Sequence, residues 1–276
     1  IIIGIITTLQ FQFQLGEAWF RPAGMMNQNI FGDITVAMLF LAIVRFFDEK
    51  PKEKVITLIA IIAGMAAIVL SASRGSWISA LILSILYLLI IYKPYLRNNI
   101  KRKLGILGVL IIISTLLFNS QIVKNKVFTA TEGIKEWSTG NNNSSTGERL
   151  NMWVSGLKAA KESPLIGYGY RNANKAAQKY TDKDIAYTHL HNEYITNLVS
   201  AGIVGLLSLL ALLFLPMIIF YRKLKDERTH HYALMGVLLC IGYTTFGFSH
   251  IAFGEEHINA FYVLLLGFLL PRVIHS

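Results

Sequence analysis

Gly202-Ile-Val-Gly-Leu-Leu-Ser-Leu-Leu-Ala-Leu-Leu-Phe-Leu-Pro-Met-Ile-Ile-Phe-Tyr221 runs without one charged side chain. A helix of about 20 residues, rising 1.5 Å per residue, crosses the roughly 30 Å hydrocarbon core of a bilayer. Six more apolar runs surround it: Ile30–Val44, Val55–Ser71, Trp77–Tyr92, Leu104–Phe118, Tyr232–Phe253 and Ala260–Ile274, with a stub at Ile1–Leu9. Hydrophobic residues make up 54% of the 276 and charged residues only 15%, against about 25% charged in a soluble domain. Disorder, collagen-like repeats, disulfide scaffolds and an ordinary soluble core are excluded. The chain reads as an all-α polytopic membrane protein.

Three segments follow: N-terminal spans over residues 1–118, a large loop over 119–201, and C-terminal spans over 202–276. The chain opens in mid-run at Ile1, as a piece would whose earlier spans are missing. Residues 119–189 are polar and cannot cross a membrane, yet carry amphipathic stretches at Gly147–Glu162 and Asn172–Tyr180 that predict helices. A further helix from about His191 is expected to lead into the next span.

Sidedness follows from the short basic loops. Arg45–Lys54, Tyr92–Lys103 and Arg222–His231 are rich in Lys and Arg, which marks them as cytoplasmic. Residues 10–29, the turn Ser73–Ser76, the long loop and Gly254–Asn259 then face outward. The net charge of +10 (26 Lys and Arg against 16 Asp and Glu) is read as topogenic loops beside anionic lipid, with no nucleic-acid partner. Arg21, Arg74, Arg149, Arg171, His189, His191, His250 and His257 all fall on the outer side. A transporter would place ionisable groups near the midplane, within related repeats. Here the chemistry gathers at one membrane face, as in an enzyme acting on a lipid-borne substrate.

Within Ser71-Ala-Ser-Arg74-Gly-Ser76, Arg74 is either a snorkelling anchor that ends a span or an anion site beside a helix start at Ser76. Glu148 and Arg149 are either solvated surface charges or, for Arg149, a second cation over the same anion. Leu165-Ile-Gly-Tyr-Gly169 lacks the strand–helix context of a nucleotide fingerprint and reads as a tight turn. His189-Leu-His191 suggests interfacial packing, a general base with a pKa near 6.5, or a metal pair with only Glu193 close as a third ligand. Glu255-Glu256-His257 either supplies an orienting carboxylate or caps two spans. Cys240, the single cysteine, offers neither a disulfide nor a cysteine metal site. No metal and no cofactor is expected.

These residues resemble the O-antigen ligases and the related O-antigen polymerases. The ligase signature of His-Asn, nine residues, Gly, two residues and Gly stands here as His191-Asn192 followed by Gly202-Ile-Val-Gly205. Ser73-Arg74-Gly75 matches the family's arginine before a span. Arg149 and Trp153, followed by Ser163-Pro-Leu-Ile-Gly167, match its Arg…Trp…Pro-Leu-x-Gly stretch. Arg21 and Asn27–Asn29 are similar to an earlier Arg/Gly/Asn segment.

The resemblance implies an inner-membrane glycosyltransferase with a C-type helical bundle and one large periplasmic loop. It would move a glycan from undecaprenyl diphosphate to the lipid A–core of lipopolysaccharide, at the periplasmic face and without metal. His191, Arg149 and Arg74 would be the catalytic residues, with Arg21, Asn192, Trp153 and Arg171 binding substrate. A polymerase with the same donor, a protein O-glycosylating ligase and a glycan transporter are the alternatives.

Overall fold

The computed structural model describes residues 27–46, 50–95, 121–141, 143–181 and 189–274. Arg21, the stub Ile1–Leu9, the span Leu104–Phe118 and the basic residues Arg97, Lys101, Arg102 and Lys103 lie outside them. The elements described are all α-helices, and no strand occurs among the described residues. Among the described residues, four helices are long and apolar enough to cross a membrane. The chain is an all-α polytopic membrane protein, divided into two compact units, Ile1–Phe128 and Thr129–Ser276.

In the first unit, α1 (Gln28–Phe46), α2 (Pro51–Leu70) and α3 (Arg74–Tyr95) pack on one another. Pro51 opens α2 behind an extended Lys50, because its fixed φ suits the first helical position and its missing N–H would be unpaired there anyway. Val55, Ile56, Ile59 and Ile62 of α2 and Ile78, Leu81, Ile85 and Leu89 of α3 remain exposed. An apolar face this long, carried by helices that satisfy their own backbone groups, suits lipid.

Between α2 and α3 the chain turns through Ala72 in the left-handed region (φ 51). Ser71, Ser73 and Ser76 are all buried, and each has a hydrogen-bond partner, as burial of a hydroxyl requires. Ser76 donates to Asp33 at 2.7 Å, Ser73 to Asn29 Oδ1 at 3.0 Å, and Ser71 to the carbonyl of Ile68 at 2.8 Å. The Trp77 indole N–H closes the same turn onto Ile68 O at 2.8 Å. The helix begins at Arg74, two residues earlier than expected, because Ser73 serves as its N-cap: its carbonyl accepts from Trp77 N at 3.1 Å.

Helix α4 (Gln121–Ser138), within which the division between the units falls, was not foreseen inside the polar loop, although Val123, Val127, Ala130, Ile134 and Trp137 repeat at helical spacing along it. The expected loop helices are α5 (Ser145–Glu162) and α6 (Tyr170–Gln178). Ser144 caps α5 by accepting from Gly147 N at 3.1 Å. Ala159, Ala160, Ala173, Ala176 and Ala177 form a core with Leu190 and Val199. Small side chains let α5 and α6 lie close against each other and against the first turns of α7 (Glu193–Lys223).

Helix α7 is the long apolar span, with a break at Gly202 (φ 63, ψ −156). Here the Pro164–Gly169 turn docks: Tyr168 N and Gly169 N donate to Val199 O and Ser200 O at 2.9 and 2.7 Å, and Ile203 N donates to Pro164 O at 2.8 Å. A Cβ on Gly202 would collide with the backbone of Leu165, and one on Gly167 would lie 2.5 Å from Ser200 C. Two motif glycines thus permit one close backbone crossing.

Helices α8 (His230–Phe246) and α9 (Glu256–Ile274) complete this unit by packing on α7. The run expected as a span over Tyr232–Phe253 is corrected at its end, for α8 stops at Phe246. At 17 residues it sits at the lower limit for a spanning helix. Residues 247–253 are pulled out of the helix by polar groups at the start of α7, and their apolar side chains Ile251 and Ala252 are buried in a turn.

Candidate active site

The residues at the head of α7 build the site. Asn192 is the N-cap, its Oδ1 accepting from Ile195 N at 3.0 Å while its Nδ2 donates to Phe248 O at 3.3 Å. Glu193 donates its own N–H to Gly247 O at 2.7 Å, and its buried carboxylate accepts from Phe253 N at 3.0 Å and from Asn197 Nδ2 at 2.7 Å. Tyr194 OH donates to Thr244 O at 2.6 Å. Asn192 and Glu193 therefore clamp the 247–253 turn, which carries His250, against the helix start that carries His191, while Tyr194 ties that start to the last turn of α8.

His191 adopts φ 50, a left-handed conformation uncommon for a residue with a Cβ. Its ring packs against that of His189 at a tilt of 52°, with ring centroids 3.9 Å apart. Its Nδ1 is buried without a hydrogen-bond partner, and so are both ring nitrogens of His250. Burial holds the His191 imidazole down at about 3, helped by His189, Arg149 and His250. His250 is held at about 4 by burial, then by His189 and Arg149. His189 is lowered by burial and by Arg149, with Glu255 opposing. All three rings are neutral near pH 7, each with one donor and one acceptor nitrogen. The positive charge of Arg149 acts on every one of them.

Arg149 stands in the second turn of α5, and Trp153 follows one turn later on the same face. The indole N–H of Trp153 is buried with no partner. Arg149, His189, His191 and His250 are thus brought together from the α5 start, the α7 approach and the α8–α9 turn. Arg171 is exposed on the first turn of α6. Arg74 belongs to the first unit, at the head of α3 above the buried serines.

Two residues were missed as site members. His250 was only one of several outward histidines, since nothing in its local sequence sets it beside His191. Glu193 was weighed only as a metal ligand; its position at the mouth of an apolar span, followed by Asn197 and Ser200 on the same helix face, was the available signal. Asn192, expected to bind substrate, spends its side chain on capping and on holding Phe248 O. Among the described residues no three His, Cys, Asp or Glu side chains are grouped to hold a metal ion.

A site of neutral imidazoles beside an arginine can accept a proton or a hydrogen bond from a hydroxyl, and can hold an anion. An uncharacterized protein of Haemophilus influenzae is 25% identical over 95% of this chain, which spans 68% of that protein. The ComP-specific O-oligosaccharyltransferase of Acinetobacter baylyi is 28% identical over 58% of this chain and 28% of its own length. The exopolysaccharide production protein ExoQ of Rhizobium meliloti is 33% identical over 22% of this chain and 16% of its own. Residues 56–210, more than half of the chain, match the family described as O-antigen ligase. They take in Arg74, Arg149, Trp153, both glycines of the backbone crossing and the His191-Asn192 signature, and on this match the chain belongs to the O-antigen ligase family.

Proposed function

We propose that the protein is an O-antigen ligase. It transfers polysaccharide from undecaprenyl diphosphate to the lipid A–core of lipopolysaccharide, at the periplasmic face of the inner membrane and without a metal. The observation that carries this reading is the gathering of Arg149, His189, His191 and His250 at the head of a membrane-spanning helix in a member of this family. An acceptor hydroxyl oxygen attacks the anomeric carbon, and the bond from that carbon to the diphosphate oxygen breaks. The electron pair leaves with undecaprenyl diphosphate, and the hydroxyl proton passes to His191. Arg149 supplies a planar, permanently charged donor for the departing phosphate oxygens, and Arg74, in the first unit, is a phosphate-binding arginine on the strength of the family motif alone. The incoming negative charge raises the imidazole pKa values from their depressed resting level, so that His191 becomes a competent base only when the donor is bound. Residues 119–201 are the periplasmic loop, which follows the spans of 1–118 and precedes those of 202–276 along the chain. Arg21, Trp153 and Arg171 contact substrate, while Asn192 positions His191.

A second reading, transfer to a protein hydroxyl, is favoured by the likeness to the Acinetobacter O-oligosaccharyltransferase over 58% of the chain. The donor and the cluster then act in the same way and only the acceptor changes. The test is in vitro transfer from purified undecaprenyl-diphosphate glycan to lipid A–core or to a hydroxyl-bearing protein, for the parent and His191→Ala. Product on lipid A–core, lost in the variant by roughly 10²-fold or more, is expected. Product on protein alone selects the second reading, and unaltered transfer by the variant removes His191 from the chemistry.

A further inference from the structure

A cavity of about 410 Å³ opens beside the histidine cluster, lined by the α7 residues Glu193, Asn197 and Ser200 together with Tyr170 and Phe253. Its chemistry is selective. Among the described residues no Lys, Arg or His lines it, which makes it a poor seat for a phosphate. Its floor is a carboxylate, an amide and a hydroxyl, so it does not suit a prenyl chain, which would leave these groups dry and unpaired.

Glu193 already accepts from Asn197 Nδ2, from the Phe253 N–H and from the Ala252 backbone, and a carboxylate with about four lone-pair sites keeps capacity for one more donor. Ser200 is 7% exposed as a residue, and its buried hydroxyl has no hydrogen-bond partner. A buried orphan hydroxyl is uncommon, and here it belongs to a residue on the cavity wall. Glu193, Asn197 and Ser200 recur at i, i+4 and i+7, which puts them in one row along α7. Two aromatic rings, Tyr170 and Phe253, contribute the apolar part of the lining.

We propose that this cavity is a binding subsite for one neutral sugar ring. Ring hydroxyls donate to Glu193 and accept from Ser200, and the C–H face of the ring lies against Phe253 or Tyr170. A row of polar groups with aromatic neighbours matches a ligand that is polar at its edge and apolar on its face. The subsite deepens the transfer reading and rests on it, because Glu193 follows His191 by two residues and Phe253 follows His250 by three. A ring held here belongs either to the acceptor or to the lipid-linked donor glycan.

The experiment uses the full-length protein in detergent, as parent, Ser200→Ala and Tyr170→Ala. The first arm is saturation-transfer NMR with methyl glucoside and methyl N-acetylglucosaminide, with inorganic phosphate as a competitor. Saturation of ring C–H protons is expected in the parent, with affinity weakened roughly 3- to 10-fold by Ser200→Ala and no displacement by phosphate. Equal signals in all three proteins, or displacement by phosphate, would overturn the proposal. The second arm measures KM for acceptor and for donor separately. A rise in acceptor KM alone assigns the ring to the acceptor, and a rise in donor KM alone assigns it to the donor. Unchanged KM for both in Ser200→Ala rejects the subsite. Sugar binding by a parent that transfers nothing sinks the transfer reading and leaves the subsite standing; transfer without sugar binding does the reverse.

Discussion

The Glu193 carboxylate accepts the backbone N–H of Phe253 at 3.0 Å across 60 residues of chain, and this bond fixes where His250 lies relative to His191. The acceptor is buried and the donor half-buried, so breaking the bond leaves the Phe253 N–H partly desolvated and without its partner. Glu193→Ala should therefore cost more than a surface change, on the order of 1.5–3 kcal/mol for a hydrogen bond to a charged group. Glu193→Gln keeps a carbonyl for Phe253 and should retain most of the stability. Thermal unfolding of both variants in detergent checks this; equal losses would mean that the clamp depends on charge and not on the bond.

Arg149 lowers the pKa of His189, His191 and His250, so removing its charge should raise all three. Arg149→Ala is expected to shift histidine titrations upward in NMR and to reduce transfer by about 10²–10³, the usual cost of one lost oxyanion donor. Arg149→Lys should restore the titrations more fully than the rate, since a point charge replaces the field but not the bidentate fork. A lysine variant as active as the parent would show that geometry is irrelevant here.

The depressed imidazoles also set a pH dependence. His191 titrates at about 3 and His250 at about 4 in the folded protein, below the ordinary value near 6.5. Between these limits the unfolded chain binds protons that the folded chain refuses, so stability is complete above pH 6.5 and falls as the pH drops toward 3. Thermal midpoints measured from pH 7.5 to 4.5 should decline, and His250→Gln should flatten part of that decline. An unchanged slope in the variant counts against a buried neutral His250.

At the backbone crossing, Gly202→Ala meets two penalties, a φ and ψ combination that only glycine holds easily and a clash with Leu165. Gly167→Ala meets the same pair on the other side, with φ 64 and the Ser200 backbone in the way. Each should lower stability by roughly 2–4 kcal/mol, beyond the usual ~1 kcal/mol of a point change, with loss of folded protein by size-exclusion chromatography. A well-folded Gly202→Ala protein would mean that α7 straightens without harm.

Sidedness is tested by single cysteines at Asn141 and at Lys225 in a Cys240→Ala background. An impermeant thiol reagent applied to intact cells should label position 141 and spare position 225. Equal labelling at the two positions would undo the assignment of the histidine cluster to the outer face.

What the sequence determined by itself was the solvent and the kind of element. Long uncharged runs such as Gly202–Tyr221 can satisfy their backbone groups in lipid only as helices, and that argument needs no tertiary contact. The tight turn at Leu165–Gly169 was legible for the same reason, being local to a few residues. Helix α4 was legible too, in Val123, Val127, Ala130, Ile134 and Trp137, but its polar composition drew the reading toward a loop. The tertiary structure alone decided that α8 ends at Phe246, because the groups that take over residues 247–253 lie more than 50 residues earlier, at Asn192 and Glu193. It alone set His250 beside His191, and left a cavity between α7 and Phe253. Such pairings depend on how helices stack, and apolar periodicity specifies a buried face without naming the residue that will meet it.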